Sequence, residues 1–388
     1  MRLAEYDGKA LLRRHGLAVP RGILLRHGEA PPDDAAAWAG HFLKAQILEG
    51  RRGKSGLVRR LQNLSEFRAA QRLILATLDD ADTPLLLEEA VPIARELFAA
   101  VRVDGTRQRL ELLLAPEGGE DVERSTKRLA RIPLGVAPPI AEHIFPAAAD
   151  LFPRDVAARL SRYTARLPEI ARQEDLQLVE INPLALTPDG RFVACDAKII
   201  RDEAADFRHD AADFALSRRL AERAMTALER AARNLGFQLV ETDGDVALVT
   251  SGAGLAMMMM DLLADHGLRA ASFMDNLQGA PDETMNERLK VARLLAARPN
   301  IKAIVFQTVI ASRSLAERID ALTAWITAEK LPKPLFVGLA AAHAATRTMS
   351  AEAAIDRLRA LGIPAFTDPV ELVRAAARAV GGSRQSRT

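Results

Sequence analysis

Along the chain, the spacing of apolar and polar positions changes character more than once. Leu3, Tyr6, Leu11 and Leu12 fall on one side of a helix over residues 3–15, and Gly16 follows in the place of a left-handed C-cap. Pro20 and Gly22 turn the chain into a short strand, Ile23 to Leu25, and a polar loop from Glu29 to Asp34 leads to a second predicted helix. Residues 83–105 (TPLLLEEAVPIARELFAAVRVDG) read as a buried strand, a turn at Pro92 and a second strand; Leu110 to Leu114 is a third, followed by a turn from Pro116 to Gly119. Asp121 to Ala149 is proline-rich and predicted irregular, Arg154 to Arg172 an amphipathic helix, and residues 201–235 mostly charged helix. From Phe237 onward, strand patterns (VALVT, AASFMDN, IKAIVFQTV, KPLFVGLAA, AFTD) alternate with helices, which predicts a doubly wound parallel sheet. Ser314 with Glu317, and Asp368-Pro369 with Glu371, mark helix starts there. The expected division is residues 1–236, residues 237–382, and a tail over 383–388.

One stretch carries candidate chemistry on its own residues. In LQLVEINPLALTPDGRFVACDAKI, residues 176–199, Val179, Glu180, Ile181 and Asn182 alternate with period two, so Glu180 and Asn182 share a face. Asp189-Gly190 is a turn signal that brings Asp196 back beside Asn182. An oxygen-only set of amide and carboxylates suits Mg²⁺, a hard ion that dehydrates reluctantly. A solvated amphipathic hairpin has the same pattern.

A second stretch, FLKAQILEGRRGKSGLVRRL (42–61), places Lys44 in a strand pattern ahead of a basic segment with Arg51, Arg52 and Lys54, punctuated by Gly50, Gly53 and Gly56. Glycine lets backbone N–H groups approach phosphate closely and the cations neutralise it, although basic glycine-containing hairpins are often only solvated. Ser251, Gly252 and Gly254 open a helix whose N-terminal amides suit an anion. Met257 to Met260 read as core packing and subunit contact.

Composition narrows the class. The 388 residues carry 53 Lys+Arg against 51 Asp+Glu, a net charge of +2 that does not point to a nucleic-acid surface. One cysteine, Cys195, rules out an internal disulfide framework and fits a reducing compartment. The apolar run near Leu255 to Ala264 is broken by Asp261 and is too short to span a membrane, so the expected location is the cytoplasm. Seven histidines show no ligand-type spacing.

The residues Glu180-Ile181-Asn182-Pro183, then Asp196-Ala197-Lys198, resemble the metal-binding hairpin of the ATP-grasp β subunit of ADP-forming succinyl-CoA synthetase. The resemblance extends from Arg2-Leu3-Ala4-Glu5-Tyr6 to the closing helix near Ala379. It implies an α/β fold, an N-terminal ATP-grasp nucleotide-binding domain followed by a flavodoxin-like doubly wound domain. It further implies catalytic roles for Lys44, Glu180 and Lys198. Nucleotide contacts would come from Lys44, Arg51, Arg52 and Gly53, with Glu88 and Val91 at the adenine hinge and Glu96 as an acidic nucleotide-site residue; Glu88 otherwise reads as an exposed strand end. Mg²⁺ would sit on Asn182 and Asp196, and the carboxylate substrate on Ser251, Gly252, Thr308, Val309 and Ile310. The cofactors implied are Mg²⁺ and ATP, with GTP an alternative. The implied partner is a CoA-binding α subunit that carries a phosphohistidine, in an αβ or α2β2 assembly, with no nucleic acid and no membrane involved.

Departures from the family pattern cluster in the second half. Ser251 stands where asparagine is usual, Asn276-Leu277-Gln278-Gly279 replaces a triple glycine, and Thr308-Val309-Ile310 replaces a Gly-Gly-Ile turn. Gly338 to Ala342 lacks the family's polar residues, and Leu48, Glu49 and Arg51 alter the phosphate loop. A Cβ in place of glycine removes backbone conformations and close approach. The nucleotide half is therefore kept and the acyl half rewritten, so the expected substrate is a di- or tricarboxylate not restricted to succinate, with Arg313 and Gln278 among the polar groups on hand. Two other readings stand beside this one: a non-catalytic nucleotide-binding or assembly subunit, and a stand-alone ATP-grasp ligase, which leaves the second domain without a role.

Overall fold

The computed structural model describes the chain except residues 39, 50, 51, 119–127, 136–139, 211, 277–283, 312, 313, 329, 330, 344 and 386–388. It divides into two compact units, Met1–Glu222 and Arg223–Thr388.

The first unit contains α1 (Glu5–Arg14), β1 (Gly22–Leu25), β2 (His41–Ala45), β3 (Val58–Leu61), α2 (Phe67–Leu78), β4 (Leu85–Glu89), β5 (Arg95–Asp104), β6 (Arg109–Ala115), β7 (Ala130–Leu134), α3 (Ala141–Ala149), α4 (Arg154–Thr164), α5 (Leu167–Gln173), β8 (Leu176–Leu186), β9 (Phe192–Ala194), β10 (Lys198–Arg201) and α6 (Ala215–Ala224). Two sheets result. One is antiparallel in the order β1-β4-β2-β3, and the other runs β10-β8-β5-β6-β7 with β9 beside β8. Alternation decides which face of each sheet is buried. Leu43, Ala45, Leu85 and Leu87 pack with Phe67 and Ile74 of α2, which leaves Lys44 and Glu88 on the opposite face. Leu97, Ala99, Val101, Val179, Ile181 and Ile199 form a core with Leu11 and Leu12 of α1 and Leu160 of α4, which leaves Glu180 and Asn182 on the other side.

Several expectations are corrected here. The second helix is only a 3-10 turn, Asp33–Ala37. The proline-rich region holds β7 and α3; Pro133 lies on an edge strand, the place in a sheet that tolerates a missing N–H. The helix from Arg154 is two, because Pro168 cannot donate back to the preceding turn and instead opens α5. The charged helix over 201–235 is instead a 3-10 turn, Glu203–Arg208, followed by two helices, Ala215–Ala224 and Ala227–Asn234, the second started by a reciprocal cap between Thr226 and Glu229.

The second unit contains α7 (Ala227–Asn234), β11 (Phe237–Glu241), β12 (Val246–Thr250), α8 (Ala253–Asp265), β13 (Ser272–Asn276), α9 (Thr284–Ala296), β14 (Ala303–Ile310), α10 (Leu315–Ala328), β15 (Leu335–Ala341), α11 (Ala351–Ala360), β16 (Ala365–Phe366) and α12 (Pro369–Gln385). Strands β12-β14-β15-β16 form the expected parallel sheet. Val246, Leu248 and Val305 face α8 and α12, while Ala247, Val249, Ile304 and Phe306 face α9, α10 and α11, so the sheet is covered on both sides. Ser272–Asn276 departs from expectation: it pairs antiparallel with β11. Met259 is fully buried, but Met257 and Met258 are exposed, so the methionine run divides between core and surface. Among the described residues, no helix is long and apolar enough to cross a membrane.

Candidate nucleotide site

The free faces of the two sheets in the first unit meet at a buried cluster of charges. Lys44 on β2 and Glu88 on β4 share a face because Lys44 pairs with Leu86, two residues from Glu88. Lys44 Nζ lies 2.7 Å from Glu88 Oε2 and 2.7 Å from Glu5 Oε1, and donates to the Cys195 carbonyl at 3.0 Å. Lys9 Nζ, one turn beyond Glu5 on α1, donates to Glu5 Oε1 at 2.6 Å, to both oxygens of Glu88 at 2.6 and 2.8 Å, and to the Cys195 carbonyl at 2.7 Å. Arg52, in the β2–β3 connection, donates to the Ala45 carbonyl at 3.2 Å and to Asp196 Oδ1 at 3.0 Å. Its Nη1 also lies 2.7 Å from Glu5 Oε2, off the N–H direction, so that oxygen is a buried acceptor without a donor.

Glu5, Glu88 and Asp196 thus meet Lys9, Lys44 and Arg52, three anions against three cations. Burial raises the Glu5 carboxyl, but Lys44, Lys9 and Arg52 overcome it and hold the group well below the ordinary carboxylate range. Burial works against the Lys44 and Arg52 cations, yet Glu5 and the neighbouring acids hold both firmly protonated. Asp196 is pushed the other way, raised by its buried surroundings and then by Glu5, although its side chain keeps 39% of its exposure. Burial pushes the Cys195 thiol up to about 11.

The hairpin folds as its pattern predicts. Leu184 pairs with Ala194 and Glu180 with Lys198, and the same register carried between them sets Asp196 opposite Asn182. The Asn182-Pro183 peptide is cis. Lys198 Nζ lies 3.4 Å from Glu180 Oε2, a cross-strand ion pair. Asn182 and Asp196 offer amide and carboxylate oxygen next to Arg52 and Lys44, a hard donor set of the kind Mg²⁺ takes when phosphate and water complete its shell. Among the described residues, no group of three or more His, Cys, Asp or Glu could bind a metal alone.

The remaining expected residues fall in different places. Gly53 sits in the tight turn after Arg52, where its carbonyl accepts from Gly56 N at 3.1 Å. Ala90 N donates to the Gly40 carbonyl and Ala94 N to the Leu186 carbonyl, each at 2.9 Å, so Val91 lies on the segment that joins one sheet to the other. Glu96 is exposed at the start of β5. Glu88 is not an exposed strand end; it is 2% exposed and bound to two lysines. Arg51, Leu277, Gln278, Gly279 and Arg313 lie outside the described residues. In the second unit, Val309 N donates to Ser251 Oγ at 3.0 Å, joining the C-terminal ends of the parallel neighbours β12 and β14. Gly252 precedes α8 with φ +124°, Val309 is exposed, and Thr308 and Ile310 are buried beside it. Sequence reasoning missed Glu5 and Lys9. The available signal was an acid and a base four residues apart on the same helix face as buried Leu12, with Gly8 between them close to Ile199.

A 560 Å³ recess lined by Arg14, Glu174, Asp175, Arg208 and His209 contains none of these residues. Within it Arg14 pairs with Glu174 at 2.9 Å, and His209 Nε2 lies 2.7 Å from Asp175.

Residues 2–186 match the ATP-grasp domain. The chain is 32% identical over 350 residues to the succinate–CoA ligase [ADP-forming] subunit beta of Desulfurococcus amylolyticus, covering 87% of this chain and 89% of the relative. The chain belongs to the succinate–CoA ligase β-subunit family. The corresponding subunit of Syntrophotalea carbinolica is 34% identical over 329 residues, covering 79% of this chain and 81% of the relative. The 350-residue match is longer than either unit, so membership in the family extends to both. The fold is also that of ATP citrate lyase from Methanothrix soehngenii, with a TM-score of 0.69 at 17% identity over 97% of this chain and 98% of that one.

Proposed function

We propose that this chain is the nucleotide-binding β subunit of an ADP-forming carboxylate–CoA ligase. The observation that carries the proposal is the convergence of Lys44, Arg52 and Asp196 on one point, with Asn182 opposite Asp196 in register. Phosphoryl transfer asks little covalent chemistry of a protein; it needs positioned charge against the phosphates. On this reading Lys44 and Arg52 supply that charge, with Arg51 and the Gly53 turn beside them. Val91 lines the adenine hinge with the backbone of Glu88, and Glu96 takes the ribose side. Asn182 and Asp196 hold Mg²⁺, which when bound neutralises phosphate oxygens. Glu180 and Lys198, paired across the strands, keep the hairpin's polar face charged and ordered.

The carboxylate would be taken by Ser251, Gly252, Thr308, Val309 and Ile310 at the strand ends of the second unit. A histidine on a CoA-binding α subunit, phosphorylated from ATP with release of ADP, would pass its phosphoryl group to that carboxylate, and CoA thiolate would then attack the acyl phosphate and expel inorganic phosphate, in an αβ or α2β2 assembly in the cytoplasm. The altered glycine turns favour a di- or tricarboxylate other than, or besides, succinate. The test is ADP release by this chain together with its α subunit, supplied with Mg-ATP, CoA and a panel of such acids, with Asp196→Asn as the control.

One observation favours a second reading, a non-catalytic subunit: the Ser251 hydroxyl already accepts from Val309 N, so this turn satisfies itself. Turnover that depends on Asp196 would remove that alternative.

A further inference from the structure

Resting on the nucleotide-site reading above, we propose that Glu5 and Lys9 are positioning residues for nucleotide binding. Lys9 is the permanent counter-charge of Glu5 and Glu88, and so leaves Lys44 and Arg52 free to exchange carboxylate for phosphate. The two lysines differ in what they can still do. Lys9 has four oxygens within 2.6–2.8 Å, more than the three protons of an ammonium can serve, and its side chain is 4% exposed. It has no proton left for a ligand and no path to one. Lys44 and Arg52 each keep 10% of their side-chain exposure, and Arg52 also holds Asp196, the most exposed member of the cluster. These two cations form its open side.

The charge count gives the mechanism. With Lys9 present, three acids face three bases. When Lys44 and Arg52 turn to phosphate, Glu5 and Glu88 still share Lys9 directly, so neither carboxylate is stranded in the interior. Without Lys9, those two carboxylates have only Lys44 and Arg52, and phosphate must compete with a buried acid for each. Stranding a buried charge is far costlier than losing an exposed pair. Glu5 is the hinge of this arrangement, because it alone touches all three cations, and its Oε2 has no hydrogen-bond donor.

The experiment is calorimetric titration of the full chain with the non-hydrolysable nucleotide AMP-PNP and Mg²⁺, for wild type, Lys9→Met, Glu5→Gln, the Lys9→Met/Glu5→Gln double variant and Lys44→Met. Lys9→Met should weaken Kd at least about tenfold through the uncompensated buried acid, and adding Glu5→Gln should bring Kd back to within about threefold of wild type. Recovery by a second loss is the signature of charge balance; a merely structural pair would give a double variant as weak as, or weaker than, the single one. A Kd for Lys9→Met within about threefold of wild type, or no recovery in the double variant, overturns the proposal. Should Lys9→Met fail to fold by circular dichroism, the charge-balanced double variant decides alone, and a loss beyond about tenfold overturns the proposal. If wild type binds, Lys44→Met does not and Lys9→Met is unaffected, this inference falls and the nucleotide site stands. If wild type binds no nucleotide, both fall.

Discussion

Replacing Glu5 by Gln removes one charge from the centre of the cluster while nearly keeping its shape. Glu5 lies 2.6 Å from Lys9, 2.7 Å from Lys44 and 2.7 Å from Arg52, with its side chain fully buried. Each cation keeps another acid, Glu88 for the two lysines and Asp196 for Arg52, so the net loss is one unmatched buried charge rather than three. That fixes the expected cost at about 3–5 kcal/mol, the range for breaking a buried pair from one side. The Gln amide group adds to it by turning a donor toward Arg52. In urea, with a slope of roughly 2 kcal/mol per molar, the midpoint of the first unit should fall by roughly 1.5–2.5 M. Trp38 is buried in the first unit and Trp325 lies on α10 in the second, so tryptophan fluorescence in a Trp325→Phe background follows the relevant transition. The folded pKa of Glu5 lies well below its unfolded value of about 4.3, so its contribution is full above that pH and is lost as pH falls through the folded value. The difference between wild type and Glu5→Gln should therefore be constant from about pH 6 to 8 and shrink only in acid. A midpoint change equivalent to less than about 1 kcal/mol would mean instead that the cluster is solvated like a surface pair and that Glu5 is not a buried counter-charge.

Three further outcomes follow from other parts of the molecule. A Cβ at Gly244 would lie 2.0 Å from the Ala270 carbonyl oxygen, so Gly244→Ala should destabilise the second unit by about 2–4 kcal/mol, read from Trp325 fluorescence in urea. Burial raises the Glu174 carboxyl, but His15 and Arg14 outweigh it and lower the group overall, so Glu174→Gln should cost stability at neutral pH, and the cost should start to shrink as pH drops below the ordinary carboxylate range and vanish as pH falls through the lowered folded value; thermal unfolding across pH checks this. With its thiol pushed up to about 11, Cys195 should react with iodoacetamide at pH 8 far more slowly in the native chain than in urea, as intact-mass spectrometry would show.

What the sequence makes legible follows from how local each feature is. The alternation through Val179 to Asn182 and the Asp189-Gly190 turn are local, and they suffice to set Asp196 against Asn182. The parallel sheet of the second unit is equally plain, because β12, β14 and β15 are apolar on both faces. The breaks at Pro168 and Thr226 were also written locally, but charge and amphipathicity continue across them and hide the interruption. The antiparallel pairing of β11 with β13 is not legible, since strand partners are chosen by tertiary packing. The charge cluster is non-local in the same way. Glu5, Lys9, Lys44, Arg52, Glu88 and Asp196 are drawn from five elements or connections spread over nearly two hundred residues, and in sequence Glu5 and Lys9 look like an ordinary surface pair on a helix.

On the proposal made here, Lys44, Arg52 and Asp196 form a working nucleotide site in the β subunit of an ADP-forming ligase. The measurement that tests it most directly is ADP release by the chain with a CoA-binding α subunit, given Mg-ATP, CoA and a panel of di- and tricarboxylates. Release with at least one acid is expected, dependent on CoA and lost in Asp196→Asn. A stable complex that binds nucleotide yet releases no ADP with any acid, or release that survives Asp196→Asn, would contradict it.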